Sequence, residues 1–384
     1  LDLWIRDRVA GATTRATADL FGQGGADGDT GYAVLSPDGR YVAFESRARN
    51  LVTNTVFGNG DVFLRDLQTA NTWLVSARPD GAGGDGPSRR PYLSADGRWV
   101  LFESDATDLV TNPVAASGVG NVYLFDRETG KTVLVSAQPI TGVASTNQCR
   151  AAGLSFGGRY QLFAAATAEL VRPPQSVTKT QAILHDRISG TNRYVALNSS
   201  GKPVPVVDAR ELRLSPGGDV LTFTSTDASL NAGGQSPGLF WRDLGDGTLT
   251  RIAGNATRPF GYYELSLDGR RVGFTQTNQV FVWDALSLSN TLVSVTTNGT
   301  MAVGISRFAG MSDDGAQVVF ISNAPELSDG PASTGFQTYV RDLSAGVTTR
   351  LSARDDGTPA AGETHFASLS GDGRLAVFDG ADTG

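Results

Sequence analysis

Apolar and polar residues alternate along this chain in short runs, as in Tyr41-Val42-Ala43-Phe44, and glycine-bearing turns separate the runs. A period of two is the spacing of a strand with one face buried. The runs recur in a fixed relation to one turn. LSPDGRYVAF (35–44), LSADGRWVLF (93–102), LSFGGRYQLF (154–163), LSPGGDVLTF (214–223), LSLDGRRVGF (265–274), MSDDGAQVVF (311–320) and LSGDGRLAVF (369–378) are seven copies of it. Asp-Gly between alternating apolar runs is a hairpin signal, so each copy predicts two antiparallel strands, A and B.

A second strand pair, C and D, follows each of the first six hairpins. These are DVFLRDLQTANTWLVS (61–76), NVYLFDRETGKTVLVS (121–136), AILHDRISGTNRYVAL (182–197), LFWRDLGDGTLTRIA (239–253), VFVWDALSLSNTLVS (280–294) and TYVRDLSAGVTTRLS (338–352). The seventh C–D pair stands at the other end of the chain, LWIRDRVAGATTRAT (3–17). The serines of the A–B turn lie 58, 61, 60, 51, 46 and 58 residues apart, and joining the two ends of the chain gives one more interval of 50. A chain that opens and closes inside one repeat leaves raw edges in a linear array but completes a blade in a ring. The expectation is an all-β, seven-bladed β-propeller of four-stranded antiparallel blades, a single domain over 1–384. The closing blade is shared between 1–22 and 362–384. The other blades cover about 31–81, 90–142, 149–202, 209–257, 262–300 and 306–357.

The turn Ser-x-Asp-Gly-Arg, followed by an apolar strand ending in Phe, resembles the WD-like repeats of TolB-type propellers along essentially the whole chain. That resemblance implies the propeller fold and leaves function open, because such propellers serve many roles. TolB-type proteins carry six blades and an additional N-terminal domain, which this repeat count does not match. Dipeptidyl-peptidase-type enzymes use similar blades beside a hydrolase domain, and these repeats leave no residues for one.

Composition narrows the chemistry. Glycine is 47 of 384 residues, about 12% against roughly 7% on average, as turn-rich β structure requires. Net charge is −7 and no basic stripe exists, so no nucleic-acid partner is expected. No run of 18 apolar residues suggests a transmembrane segment. Cys149 is the only cysteine, which excludes an internal disulfide and CxxC zinc sites. His185 and His365 are the only histidines and no HExxH motif occurs. The start at Leu1, without a signal peptide, reads as a processed or excised product of an exported protein: periplasmic, cell-surface or secreted.

Two motif matches dissolve in this context. Gly153-Leu154-Ser155-Phe156-Gly157 fits the GxSxG nucleophile elbow, but a strand pattern follows it where the elbow needs a helix. Ser155 is the third copy of the turn serine. Gly81-Ala-Gly83-Gly-Asp-Gly86 fits GxGxxG, yet Pro87 and Pro91 follow it and no helix does.

Strand C ends in Asp in every repeat: Asp7, Asp66, Asp126, Asp186, Asp243, Asp284 and Asp342. A short acceptor there bonds N–H groups of the next turn, and the Arg of the A–B hairpin is placed to pair with it. A role repeated around a ring is structural. His185 stands where Arg6, Arg65, Arg242 and Arg341 stand elsewhere and is read as their replacement.

Function is expected where blades differ. The A–B and C–D turns are short. The B–C loops (47–60, 105–120, 166–180, 226–238, 322–337) and D–A loops (77–89, 137–148, 198–208, 354–363) are long and dissimilar, and they share one face. On that face, five residues before each turn serine, stand Gly31, Arg89, Arg150, Arg210, Gly261, Arg307 and His365. Strand A is innermost in a propeller, so Arg89, Arg150, Arg210, Arg307 and His365 would ring the channel mouth and draw an anionic ligand, with Tyr262 among the aromatics beside them. The plainer reading pairs each cation with a neighbouring acid, Glu211 and Glu363 among them.

No catalytic residues, no metal site and no cofactor are expected. Calcium is the one ion left open, through Asp27, Asp29, Asp80 and Asp85 among loop glycines, though EF-hand spacing is absent. The expectation is a non-catalytic exported scaffold, docking a protein partner or serving a cell-envelope complex through the long-loop face. The alternative is an acidic-glycan-binding protein or carbohydrate-active enzyme using the cationic mouth.

Overall fold

The structure is a computed structural model. It describes residues 2–7, 12–111, 119–175, 177–230, 238–254, 262–328, 331, 335–354, 358–360 and 362–379. Among the described residues eight antiparallel sheets form, six of four strands and two of two. The residues group into two compact units, 1–214 and 215–384.

The first unit opens with the hairpin Trp4–Asp7 and Ala12–Arg15, the predicted C–D pair. Three complete blades follow. The first is Thr30–Leu35, Tyr41–Ser46, Asp61–Asp66 and Thr72–Leu74. The second is Ser88–Leu93, Trp99–Ser104, Asn121–Asp126 and Lys131–Leu134. The third is Cys149–Leu154, Tyr160–Ala165, Gln181–Asp186 and Thr191–Tyr194. The second unit holds the B, C and D strands Val220–Ser225, Gly238–Asp243 and Leu249–Gly254. It continues with the blades that begin at Glu264–Leu265 and Ser306–Met311, and it ends in the A–B hairpin Ala367–Leu369 and Ala376–Phe378.

Each A–B turn is built by its serine. Ser36 Oγ donates to Asp38 Oδ1 at 2.5 Å and accepts from the Tyr41 N–H at 2.9 Å. Ser94, Ser266, Ser312 and Ser370 repeat both bonds. The glycine of the turn then lets two blades meet. Gly97 and Gly158 have φ of +65°, and a Cβ on either would sit inside the Tyr41 or Trp99 ring of the preceding blade. Only glycine meets both demands.

A guanidinium closes each stack from above. Arg127 lies 4.8 Å over Tyr41 and donates to the Gly97 carbonyl at 3.0 Å; Arg187 lies 4.0 Å over Trp99 and donates to the Gly158 carbonyl at 3.2 Å. Within a blade, the aromatics of strands B and C face one another across the ladder. Phe44 opposes Phe63, Phe102 opposes Tyr123 and Phe320 opposes Tyr339, each pair stacked at 5.6–5.7 Å. Such directly opposed pairs are the stabilising unit of a sheet. Between blades the core is continuous: Tyr41, Ala43, Val62 and Leu64 of one pack with Leu93, Val100 and Phe102 of the next.

Candidate functional site

All seven strand-C ends fall on the predicted aspartates. Asp66 accepts Nε and Nη2 of Arg40 at 3.2 and 2.8 Å and the N–H of Gln68 at 2.8 Å. Arg98 grips Asp126, Arg159 grips Asp186 and Arg270 grips Asp284 with the same two nitrogens. Asp243 and Asp342 take backbone N–H groups of their turns. The side chain of Asp7 lies outside the described residues. Against the effect of burial, Arg40 and two turn N–H groups hold the Asp66 carboxyl down to about 2, and Arg159 holds Asp186 at about 2.

The reactive side chains singled out in the sequence are committed elsewhere. Ser155 is buried and its Oγ accepts the Tyr160 N–H at 3.0 Å. Burial pushes the Cys149 thiol up to about 12. Burial lowers the His185 imidazole below its ordinary range, and its Nδ1 lies 2.7 Å from Asn192 Oδ1. Arg65 and Arg341 reach Thr72 and Thr348 across the same seven-residue step. The loop acids face donors. Asp27 accepts the Arg49 N–H at 2.6 Å, Asp80 accepts from Ala82 and Arg78, and Asp85 accepts from Thr107. Asp29 offers its backbone carbonyl to Arg47. Among the described residues no group of three or more His, Cys, Asp or Glu side chains is placed to hold a metal.

The loop face differs from expectation. The D–A loops look dissimilar in sequence but share one construction. An isolated bridge joins Ala18 to Gly25, Ala77 to Gly83, Ala137 to Ala144 and Leu197 to Pro203 in the first unit, and Val295 to Met301 and Ala353 to Pro359 in the second. Gly22, Gly81, Gly142, Gly201 and Gly299 turn the tips at positive φ. In the first unit these turns are latched to the B–C loop of the next blade. Asn50 bonds Gly25 and Asp27, Asp108 bonds Arg78 and Asp85, and Glu169 bonds Gln138 and Thr146. The tips therefore stand on a rigid frame, and what they display varies: Leu20-Phe21, Pro79-Asp80, Pro139-Ile140, Ser199-Ser200. Phe21 is 80% exposed and Ile140 75%. A glycine at nearly constant distance after strand D was the available sequence signal.

The cationic register is mostly paired. Arg89 donates to both oxygens of Asp105 at 2.8 and 3.0 Å. Arg210 stands on a 3-10 turn, Ala209–Glu211, and not on strand A; its Nε is 3.9 Å from Asp208. The cause is that strand A of this repeat is cut to Arg213–Leu214, while Asp208 caps the turn ahead of it. In the second unit Arg307 lies 4.8 Å over Phe336, and His365 has Glu363 and Asp379 each at 3.8 Å. Tyr262 stacks on Phe308 at 5.9 Å. Gly261 lies outside the described residues. Arg150, opposite Ala164, is half-buried and makes no side-chain hydrogen bond or ion pair among the described residues.

Sequence reasoning missed the partners of this register. Glu103 is wholly buried, with Arg89 Nε 3.4 Å from one oxygen and Arg90 Nη1 3.5 Å from the other. Burial raises its carboxyl above the ordinary range, against the pull of Arg90, Arg89 and Arg150. Phe-Glu-Ser recurs at 44–46 and 102–104, which was a readable sign that Glu45 and Glu103 hold equivalent places.

Comparison with known proteins bears on the fold. The chain is similar to dipeptidyl peptidase 4 of Porphyromonas gingivalis, with TM-score 0.61 and 12% identity over 97% of this chain and 52% of that one. It is similar to a prolyl endopeptidase, with TM-score 0.55 and 14% identity over 91% of this chain and 46% of that one. The fold is a β-propeller. TolB from Acinetobacter baumannii gives TM-score 0.42 and 14% identity over 75% of the propeller and 58% of the TolB chain. This propeller thus spans about half the length of each of these three solved chains. No family model matches it, and no curated protein does. Among the described residues no helix is long and apolar enough to cross a membrane.

Proposed function

We propose that this propeller is a non-catalytic scaffold that docks a partner protein on the tips of its D–A turns. One observation carries the reading: in the first unit a single turn geometry, held in three places by the next B–C loop, displays a different residue pair at each position. A rigid frame with variable tips lowers the ordering cost of association. In the first unit the tips and adjoining B–C loop carry exposed apolar side chains, Leu20, Phe21, Phe57 and Ile140. Exposed aromatic and aliphatic anchors are the usual centre of a protein interface. A role outside the cytoplasm, in an envelope complex, belongs to the same reading and rests on the repeat resemblance alone.

The test is native mass spectrometry of the protein isolated gently from its own cells, alongside the variant Leu20→Ser/Phe21→Ser/Ile140→Ser. A stoichiometric protein partner that the variant loses, at unchanged Tm, is the expected result. A bare 40 kDa monomer, or a partner held equally by the variant, refutes the docking face.

A further inference from the structure

We propose that Asn59 is a self-modification site, at which the native protein converts its own side-chain amide to an isoaspartate. The site lies wholly in the first unit and does not depend on the docking reading. The chain holds two Asn-Gly pairs, Asn59-Gly60 and Asn298-Gly299, and both asparagines are exposed. In such a pair the glycine backbone nitrogen is free to attack the asparagine Cγ, because no Cβ crowds it. The N–Cγ bond forms, the Cγ–Nδ2 bond breaks, and ammonia leaves with the proton of the glycine N–H. Water then opens the succinimide ring at either carbonyl and gives aspartate or isoaspartate. Water is the only co-reactant.

The glycine N–H separates the two pairs. Gly299 N–H donates to the Thr296 carbonyl at 2.9 Å, closing a β-turn, and Thr296 Oγ1 accepts the next N–H, of Thr300, at 3.2 Å. That nitrogen is committed, and its peptide reaches Asn298 Cγ only when the turn opens. Gly60 N–H makes no hydrogen bond among the described residues, and neither does the Asn59 side chain. A Cβ on Gly60 would meet only Pro87 Cβ, at 3.9 Å, so the space a closing ring needs is open there. Asn59 also stands between two glycines at positive φ, Gly58 at +75° and Gly60 at +103°, where the backbone turns at little steric cost. The position has consequences for the fold. Gly60 leads directly into strand C at Asp61, and its carbonyl accepts the Ser88 N–H of the next blade at 2.9 Å. An isoaspartate routes the main chain through the side-chain carbon just ahead of that tie, and it adds a carboxylate close in sequence to the exposed Phe57.

The test holds the native protein, the native Asn59→Gln variant and the parent unfolded in guanidinium chloride in warm, mildly alkaline buffer and samples them over weeks. Peptide mapping by mass spectrometry reads the mass gain of amide-to-acid conversion at each pair. A protein isoaspartate methyltransferase with S-adenosylmethionine then marks isoaspartate, peptide by peptide. In the native protein Asn59 should convert about fivefold faster than Asn298 or more, the worth of one intact hydrogen bond. In the unfolded chain the two should convert at comparable rates, because the turn that protects Asn298 is gone. Asn59→Gln should leave its peptide unmodified, since glutamine must close a larger ring; the replaced side chain is exposed, so the variant's Tm should match the parent's. Equal native rates at the two pairs, faster conversion at Asn298, or no native conversion of Asn59 over the time in which the unfolded chain converts overturns the proposal. So does a mass gain that persists in the same peptide of folded Asn59→Gln.

Discussion

Asp61→Asn should make this protein more stable at neutral pH and leave it unchanged in mild acid. Asp61 opens strand C of the first blade and is 2% exposed. Four of its six equivalents are amides, Asn121, Gln181, Gln279 and Gln337; the other two are Gly238 and Asp2, which Arg15 pairs. Each amide gives an N–H to a carbonyl, and in three of them the amide oxygen accepts a serine hydroxyl, as in Asn121, which donates to Val119 at 3.1 Å and accepts from Ser136 at 2.8 Å. Asp61 keeps the serine bond, from Ser76 at 2.7 Å, but has no N–H to give. No cation among the described residues pairs with it. Burial therefore pushes its carboxyl up to about 6 from an ordinary 3.8.

The folded state thus holds the proton more tightly than the unfolded chain. Stability is full below the unfolded value, near 4, and falls as pH rises through about 6. A shift of about 2 units costs about 3 kcal/mol once the group is ionised. An amide at this position removes that cost while keeping the shape and the Ser76 bond. The arginine-held Asp66, Asp186 and Asp284 run the other way, at about 2 in the fold. Their contribution is complete above about pH 4 and is lost as pH falls toward 2, so they cancel between parent and variant. Urea titration followed by tryptophan fluorescence, at about pH 4 and about pH 7.5, measures the difference. A gain of about 3 kcal/mol at the higher pH that vanishes at the lower is expected. An equal gain at both values would mean packing, not charge, and no gain at neutral pH would refute the argument.

Two further outcomes follow from the same geometry. Gly158→Ala should destabilise by about 3 kcal/mol, from the left-handed backbone and the displaced Trp99 ring, as read by thermal unfolding; a loss below about 1 kcal/mol would show that the rings do not need the turn glycine. Cys149, buried and with its thiol pushed up to about 12, should be alkylated at about pH 8 only as fast as the fold opens. Its labelling rate should therefore climb with urea alongside unfolding, and rapid stoichiometric labelling of native protein would contradict that.

The blades were legible because one turn, Ser-x-Asp-Gly, fixes a hairpin chemically and, with small variations, recurs seven times. The Asp at the end of strand C and its Arg partner were legible for the same reason: a repeated polar residue needs a repeated partner. Counting back five residues from the serine failed where strand A changes length or bulges. It put Arg210 on a strand that begins only at Arg213, and it passed over Arg90, which the bulge before Pro91 turns toward Glu103. A fixed offset assumes a regular pleat, and a bulge shifts every later side chain by one. The shared build of the D–A turns was hidden by their unequal tails, although the glycine at each tip was in plain view.

Repetition also shows where to look for departures. A polar residue present in every blade has its cost met by a partner present in every blade, so it says little about function. Asp61 and Glu103 both place a carboxyl in a buried site, and they differ in what surrounds them. Asp61 has one hydroxyl and no paired cation, which makes it a liability that an amide would relieve. Glu103 has Arg89 at 3.4 Å and Arg90 at 3.5 Å, which offset its burial in part and leave its carboxyl above the ordinary range.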